Sequence, residues 1–355
     1  MGEIMQFLFS NYPPCKVLCQ SFTDAFFELL ANADQLDIAV GYITADSLAE
    51  LQNIVKYNPI NKLNLTIGMH YFDLFTAVEY KAAKGLNHYL QDNDLGEVRL
   101  VTPFRFHGKM YSYSRGNIPF AGIIGSNNLS SIVENGSRIY ESSILLQDKQ
   151  NSLDMYNFIK KLNETSTQNI NDLEISAFKN SNPLLENYEY VSKISSSELS
   201  KYYLHKTTNS FEIPIKTADQ GAGKSNLNAC FGEGRKDKRG LIKPRHWYEV
   251  ELIVPKSVTS QKGYPQERSE NACFNVVTDD GWMFKCKVSG DYSKNFRSEN
   301  DLKILGRWLK GRLENAGALD VGQPVTSAVL NKYGRSSFSL TKTSIDDIWL
   351  LDFGV

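Results

Sequence analysis

Apolar residues recur at helical spacing in FTDAFFELLANA, residues 22–33, with Ser21 ahead of them as a helix N-cap. The pattern then changes to the nearly unbroken apolar run Leu36-Asp-Ile-Ala-Val-Gly-Tyr-Ile-Thr44, which predicts a buried strand. Helical spacing returns in DSLAELQNIVKY, a strand follows in KLNLTIGM, a long helix runs from about Phe75 to Gln91, and EVRLVTP predicts another strand. Beyond it, MYSYS and IPFAGII are separated by Arg115-Gly116-Asn117, the pattern of two strands in a hairpin. Arg138-Ile-Tyr-Glu141 opens a further apolar run, SILLQ, and Leu153–Leu162 (LDMYNFIKKL) predicts a closing helix. Strands alternating with helices predict an α/β domain whose mixed sheet is covered by helices, and in such sheets ligands gather at strand ends.

From residue 163 the pattern loses its period. NETSTQN, KNSNP and SKISSSELSK are rich in Ser, Asn and Lys, with short apolar pieces (LEISAF, YEYV) between them, which predicts a partly packed connector. After Phe211 short strand-like runs (FEIPI, HWYEVELIVP, ACFNVVT, GWMFKCKVS, FSLTKT) alternate with long polar loops around one helix, Leu302–Leu313. This predicts a mainly β barrel-like domain. The expected division is 1–165 for the α/β domain, 166–208 for the connector and 209–355 for the β domain.

A chain of 355 residues can bury two cores. There is no run of eighteen apolar residues, so no transmembrane helix is expected, and MGEIMQFLFSNYPPC lacks the basic region of a signal peptide. The myristoylation pattern fails at Gln6. Cys15, Cys19, Cys230, Cys273 and Cys286 are too scattered for a disulfide framework or a zinc site, so reduced thiols and a cytoplasmic location are the expectation. The net charge of -1 hides an asymmetry: residues 1–200 carry 15 Lys/Arg against 22 Asp/Glu, and residues 201–355 carry 24 against 18. The basic second half is the candidate holder of a polyanion.

Chemistry gathers at the two polar ends of the predicted hairpin. Side chains two apart on a strand share a face, which puts His107 beside Lys109 and Ser126 beside Asn128. A nucleophile or base, a cation and two neutral donors, with no metal ligands among them, describe a phosphate site. His-x-Lys or Gly-Ser-x-Asn taken singly is an ordinary chance match or turn; their order between predicted strands is what carries weight. His70 and His88 are expected to be packed or surface histidines. Gly221-Ala-Gly223-Lys224-Ser225 imitates the end of a phosphate-binding loop, but its first glycine is replaced by Ala218, so nucleotide binding is not expected.

His107-x-Lys109 followed by Gly125-Ser126-x-Asn128 resembles the signature of the phospholipase D superfamily. The resemblance implies an imidazole that attacks phosphorus and forms a phosphohistidine, with the other motif groups stabilising charge on the phosphoryl oxygens. By position, His107 becomes the nucleophile, Lys109 and Asn128 the phosphate clamp, Ser126 a further donor, and Glu141 the group that orients an imidazole. Where the family has an aspartate five residues after the lysine this chain has Ser114, and the interval from Lys109 to Gly125 is longer than usual. The departure resembles the divergent restriction-nuclease branch and leaves Glu141 as the acid, with Glu134 as the alternative. The chain has one His-x-Lys, so a second catalytic histidine implies another copy, a homodimer through the nuclease domain.

Two polar stretches of the second half suit DNA. The first, Thr217–Pro244, offers Lys224, Asn226, Asn228, Arg235, Lys236, Lys238, Arg239 and Lys243, with Arg245 just beyond. The second, Asp280–Arg297, offers Trp282, Lys285, Lys287, Lys294, Asn295 and Arg297. Lysine and arginine reach phosphates or guanine, and asparagine can pair with adenine; charges that merely solvate long loops are the competing explanation. The order of strands, the two polar arms and the closing TSAVLNKYGRSSFSLTKT resemble the B3-like DNA-recognition domain of phospholipase-D-like restriction endonucleases of the BfiI and NgoFVII type. The two resemblances together imply a sequence-specific restriction endonuclease acting on double-stranded DNA without metal or other cofactor. ATP enters only if a separate helicase-like ATPase subunit is required, and no membrane is involved. A lipid phosphodiesterase and a non-catalytic DNA-binding protein are the alternatives.

Overall fold

The computed structural model of the chain describes residues 5–133, 139–180, 185–267 and 272–355. They form two units: one holds the residues up to 133, 139–180 and 234–244, the other 185–233 and 245–355. The stretch expected to be a connector is thus divided between them. Among the described residues no helix is long and apolar enough to cross a membrane.

The first unit begins with β1 (Met5–Phe9), α1 (Phe22–Leu30), β2 (Gln35–Val40), α2 (Ala45–Tyr57), β3 (Lys62–Ile67), the short α3 (His70–Asp73) and β4 (Phe75–Thr76). It continues with α4 (Ala77–Asp92), β5 (Gly96–Val101), β6 (Lys109–Arg115), β7 (Ile118–Gly125), β8 (Ser142–Leu146), α5 (Lys149–Ser166), β9 (Thr167–Asn169) and β10 (Phe178–Lys179). The long helix starts two residues later than its apolar pattern suggested, because the Thr76 side chain and Glu79 form a capping box there.

Eight strands make one mixed sheet in the order β1-β8-β7-β6-β2-β3-β5-β9. β2, β3 and β5 run parallel, as the helical crossovers require, and every residue of β2 is buried. On one face Phe22 and Phe26 of α1 stand edge-on to Tyr111, and Phe26 to Tyr113, of β6. On the other, Met155, Ile159 and Leu162 of α5 pack against Ala39, Val101 and Phe106. The expected hairpin is β6–β7, turning at Gly116 and Asn117, which both have positive φ. The edge strand β1, which pairs with β8, carries no period-2 signal strong enough to be read from sequence.

In the second unit a sheet runs in the order Lys206–Pro214, Ser337–Thr343, Ile348–Asp352, Cys273–Thr278, Trp282–Ser289, Asn295–Ser298 and Leu252–Ile253, with Ser192–Lys193 added against Trp282–Ser289. Its core holds Phe274, Phe296, Phe338 and Trp308. The expected helix runs Lys303–Asn315 and is joined by shorter ones at Ser196–Leu204, Lys256–Thr259 and Ser327–Tyr333. Lys310 of the main helix is fully buried, donating to the carbonyl of Trp247 at 2.6 Å, and Glu314 accepts from Trp247 Nε1 and the Tyr248 hydroxyl, both at 2.7 Å. Buried charges are kept only when so satisfied, and this network pins the segment that follows Pro244.

Candidate active site

The site lies where the C-terminal end of β2 meets the start of β6 and the end of β7. Register places Lys109 opposite Val40, and Gly125 opposite Ser143 of β8. His107 therefore precedes β6 while Lys109 begins it, and both ends of the hairpin arrive at this edge.

Lys109 is buried, and its Nζ lies 2.9 Å from His107 Nε2 and 2.7 Å from the His107 carbonyl oxygen. An ammonium group can only donate, so Nε2 is the accepting nitrogen and the ring proton sits on Nδ1. That is the tautomer a nucleophilic Nε2 requires. Burial draws the Lys109 pKa down while the charge of Glu141 opposes it, so the ammonium is less firmly protonated than a surface lysine. The imidazole is exposed and edge-on to Tyr42, with ring centres 5.7 Å apart.

Asn128 Oδ1 accepts from the backbone N–H of Tyr42 at 3.0 Å, which fixes the amide orientation and leaves its NH₂ to serve as donor. Ser126 is differently engaged: its Oγ accepts from Ser142 N at 3.0 Å and donates to Ser142 O at 3.2 Å. Its hydroxyl thus ties β7 to β8. Glu141 is held through its backbone, donating to Ser10 Oγ at 2.7 Å and accepting from Ser10 N at 3.1 Å. Its carboxylate makes no hydrogen bond among the described residues, none to His107 included, although its charge is felt at Lys109. Glu134 lies outside the described residues. Ser114, where the family aspartate would stand, is buried on β6 opposite Gln35, away from the site.

Close backbone approach builds this corner. A Cβ on Gly125 would come within 2.4 Å of Ser143 Cα, and one on Gly68 within 1.9 Å of the Phe106 carbonyl oxygen, so the strand ends and the segment carrying His107 lie against bare backbone. Asn127, which was not singled out from the sequence, locks the turn: its carbonyl accepts the Tyr111 hydroxyl at 3.0 Å and its Oδ1 the Ser143 hydroxyl at 2.5 Å. Among the described residues no group of three His, Cys, Asp or Glu side chains is placed to hold a metal ion.

His70 is buried beneath the site, as expected of a packed histidine. Its Nε2 accepts from Ile43 N at 3.2 Å, its Nδ1 faces the Leu74 carbonyl at 3.1 Å, and its ring stacks on Phe75 at 4.4 Å. Burial pulls its pKa from 6.5 down to about 4. The folded form therefore prefers a neutral ring; below pH 6.5 the unfolded chain takes the proton first, and stability falls until pH passes about 4. We expect a loss of about 3 kcal/mol from this group over that window. Urea midpoints measured from pH 7 to pH 4.5 should fall more steeply for the wild type than for His70→Phe, which keeps the stack on Phe75; parallel curves would reject this account.

The DNA-facing expectations divide. Asn226 and Asn228 are buried, and their amides serve the backbone: Asn226 Oδ1 accepts from Ile253 N at 3.0 Å, while Asn228 exchanges two hydrogen bonds with the Val325 backbone. Neither amide is presented for base reading, because each satisfies buried backbone groups. Arg245 is engaged with Glu249 at 2.8 Å. Arg235, Lys236, Lys238, Arg239 and Lys243 lie on or beside a small hairpin, Arg235–Lys236 with Ile242–Lys243, that groups with the first unit. There Asn58 exchanges two hydrogen bonds with the Ile242 backbone, 2.9 and 3.1 Å, and Arg239 reaches Glu28 at 3.3 Å. Lys224 is exposed in its loop.

The second stretch is largely sheet rather than loop. Lys285 and Lys287 share a face of Trp282–Ser289, with Arg297 cross-strand from Lys287. Lys287 pairs with Glu299 at 2.8 Å, and Trp282 lies under Lys193 at 4.2 Å. Lys294 and Asn295 are half-buried where the strand Asn295–Ser298 begins.

Two family models match the chain: the NgoFVII restriction endonuclease N-terminal phospholipase D domain over residues 20–175, and the NgoFVII C-terminal B3-like DNA-binding domain over residues 201–344. The chain belongs to the NgoFVII-type restriction endonucleases. Its first unit is accordingly a phospholipase-D-like nuclease domain, and its second, mainly β, a B3-like domain. The match to the second model runs through residues 234–244, so the family's C-terminal domain contributes a hairpin to the first structural unit.

Solved structures similar to the chain include phosphatidylserine synthase of Haemophilus influenzae Rd KW20, at 14% identity and TM-score 0.35, matched over 48% of this chain and 41% of that one. The chain therefore spans less than half the length of that protein. Nuc from Salmonella typhimurium is 14% identical with TM-score 0.30, over 46% of this chain and 96% of its own. NucT from Helicobacter pylori is 15% identical with TM-score 0.31, over 46% and 98%. No curated protein matches the chain.

Proposed function

We propose that this chain cleaves double-stranded DNA at a specific sequence, hydrolysing the phosphodiester through a covalent phosphohistidine at His107 and without a metal ion. The observation that carries the reading is the contact of Lys109 Nζ with His107 Nε2, beside an Asn128 amide already turned by Tyr42. Lys109 holds the proton away from the nucleophilic nitrogen while the site is empty. When a phosphate arrives, the ammonium and the Asn128 NH₂ pass to its non-bridging oxygens, and Nε2 attacks phosphorus. The P–O bond to the leaving strand breaks, and that oxygen takes a proton from a second histidine. Water then attacks phosphorus, giving its proton to that second histidine, and the P–N bond breaks to return free His107. Stabilising charge that grows on the phosphoryl oxygens is the main contribution such donors make.

The second histidine is His107 of another copy in a homodimer. Supporting this, β1 is an edge strand beside the site with Met5 53% and Phe7 59% exposed, and Ile139 lies close by at 64%. Exposed apolar side chains on a sheet edge invite a partner. We assign sequence recognition to the B3-like unit and place the protein in the cytoplasm, where its DNA substrate lies. A lipid phosphodiesterase has no use for a B3-like domain, and a vestigial site has no need of an oriented Asn128.

The test is to mix the full chain with end-labelled plasmid fragments in EDTA and quench in denaturant. Label bound to the protein, stable to base and released by acid, is the expected result. If no label appears, and none is found when cell extract with ATP and magnesium replaces the EDTA to supply a working ATPase partner, the covalent route is wrong.

A further inference from the structure

The motif residues reach one phosphate, yet a DNA strand brings another with the next nucleotide, about 3.4 Å further along the duplex axis, and a base between them. Beside His107 the structure has a group of side chains that the phosphate clamp does not use. The Tyr42 hydroxyl donates to Asp73 Oδ2 at 2.6 Å, and Asp73 Oδ1 accepts from Arg105 Nε at 3.3 Å. The Arg105 guanidinium lies over the Phe72 ring at 4.9 Å, and Tyr71 stands edge-on to Phe72 at 5.5 Å. Tyr71 is 42% exposed, and Phe104, next to Arg105, is 45% exposed. Lys179 of β10 is exposed and lies opposite Thr76 of β4, three residues on from Asp73, and its charge is felt at both Asp73 and His70.

Fold stability does not account for this arrangement. An Arg–Asp pair open to solvent adds little to stability, and an aromatic left half in water forgoes burial. Position gives it a purpose. Arg105 is two residues from the nucleophile, and Tyr42 joins the cluster to the clamp through Asn128 and the edge of the imidazole. The Asp73 carboxyl is held below its usual range, first by the Tyr42 phenol and also by Arg105, so it stays charged at neutral pH and keeps the guanidinium in place. The bond to Asp73 uses Nε, which leaves the two terminal nitrogens of Arg105, a side chain 59% exposed, as donors for a phosphate.

We infer that Arg105 and Lys179, with the rings of Tyr71 and Phe104, form a subsite for the nucleotide that flanks the scissile phosphate. Arg105 takes the neighbouring phosphodiester, Lys179 adds to its neutralisation, and an aromatic ring receives the face of the adjoining base. Two cations and exposed ring faces fit a polyanion with stacking bases; a lipid headgroup with one phosphate would leave the second cation and the rings idle. The inference rests on the nuclease reading and names what holds the strand in that same site.

The experiment compares Arg105→Ala and the double variant Tyr71→Ala/Phe104→Ala with the wild-type full chain on two diesters. One is methyl 4-nitrophenyl phosphate, which has no flanking nucleotide; the other is plasmid DNA. For each variant the loss of kcat/KM on DNA should exceed the loss on the small diester at least ten-fold, mostly through KM. Arg105→Lys should recover part of it. In a His107→Ala background, removing Arg105 should also reduce the slope of log affinity against log salt by about 0.7–0.9, the value for one phosphate contact. Equal losses on the two diesters, or an unchanged salt slope, overturn the subsite. If the wild type hydrolyses neither diester, even with cell extract and ATP added, the nuclease reading has failed, and the salt slope alone decides whether Arg105 holds a strand.

Discussion

Alanine at position 107 should end DNA cleavage, with a fall on the order of 10⁴-fold or more in single-turnover rate, because no bond to phosphorus can form without the imidazole. The loss is chemical rather than structural. His107 is exposed and precedes β6, and its ring touches Lys109 and the edge of Tyr42 rather than the core. The variant should therefore keep the wild-type urea midpoint and DNA affinity. It does more than delete a ring, since Lys109 loses the Nε2 acceptor and its buried ammonium keeps the residue-107 carbonyl. With EDTA in both reactions, the wild type should cut and the variant should not. Residual cleavage above about one per cent would assign bond formation to another group.

A dimer with one wild-type chain and one His107→Ala chain should be about a hundred-fold less active than the wild-type dimer. Two self-sufficient sites would leave half the activity. The expectation follows from proton accounting: the leaving oxygen needs a proton, and no other histidine in this chain is followed by a lysine two residues on. His70 does not serve, being buried and neutral with both ring nitrogens engaged. General acid catalysis contributes about 10²–10⁴-fold, which sets the size of the drop. Co-expression with two different affinity tags isolates the mixed species, and half-maximal cleavage by it would place a complete site in each chain.

Catalysis is built here from few contacts on a rigid frame. The glycines at 68 and 125 allow backbones to approach more closely than any side chain permits, and strand ends so held move little. The frame also explains why Tyr42 matters without belonging to any motif. It lies two residues beyond the buried β2 strand, and its amide meets Asn128 across 86 residues of sequence.

Local patterning determined much of this protein. Apolar period alone placed the longer helices and the inner strands, though not the short helices such as Ser196–Leu204 and Ser327–Tyr333, and the hairpin between Lys109 and Gly125 followed from two apolar runs around a turn. Because a strand's polar ends share an edge, the hairpin also brought His107, Lys109, Ser126 and Asn128 to one place. The tertiary structure decided what local pattern cannot carry. Strand order set β2 beside β6, which delivered Tyr42 to Asn128 and, with α3, carried Asp73 to Arg105. Packing took Asn226 and Asn228 inside, where buried backbone groups claimed their amides, and turned the Ser126 hydroxyl to the backbone of Ser142. It also grouped the basic hairpin Arg235–Lys243 with the first unit through Asn58. The physical reason is one of range: side-chain period reports which face of an element is buried, whereas the partner of a polar group depends on which distant strand arrives beside it.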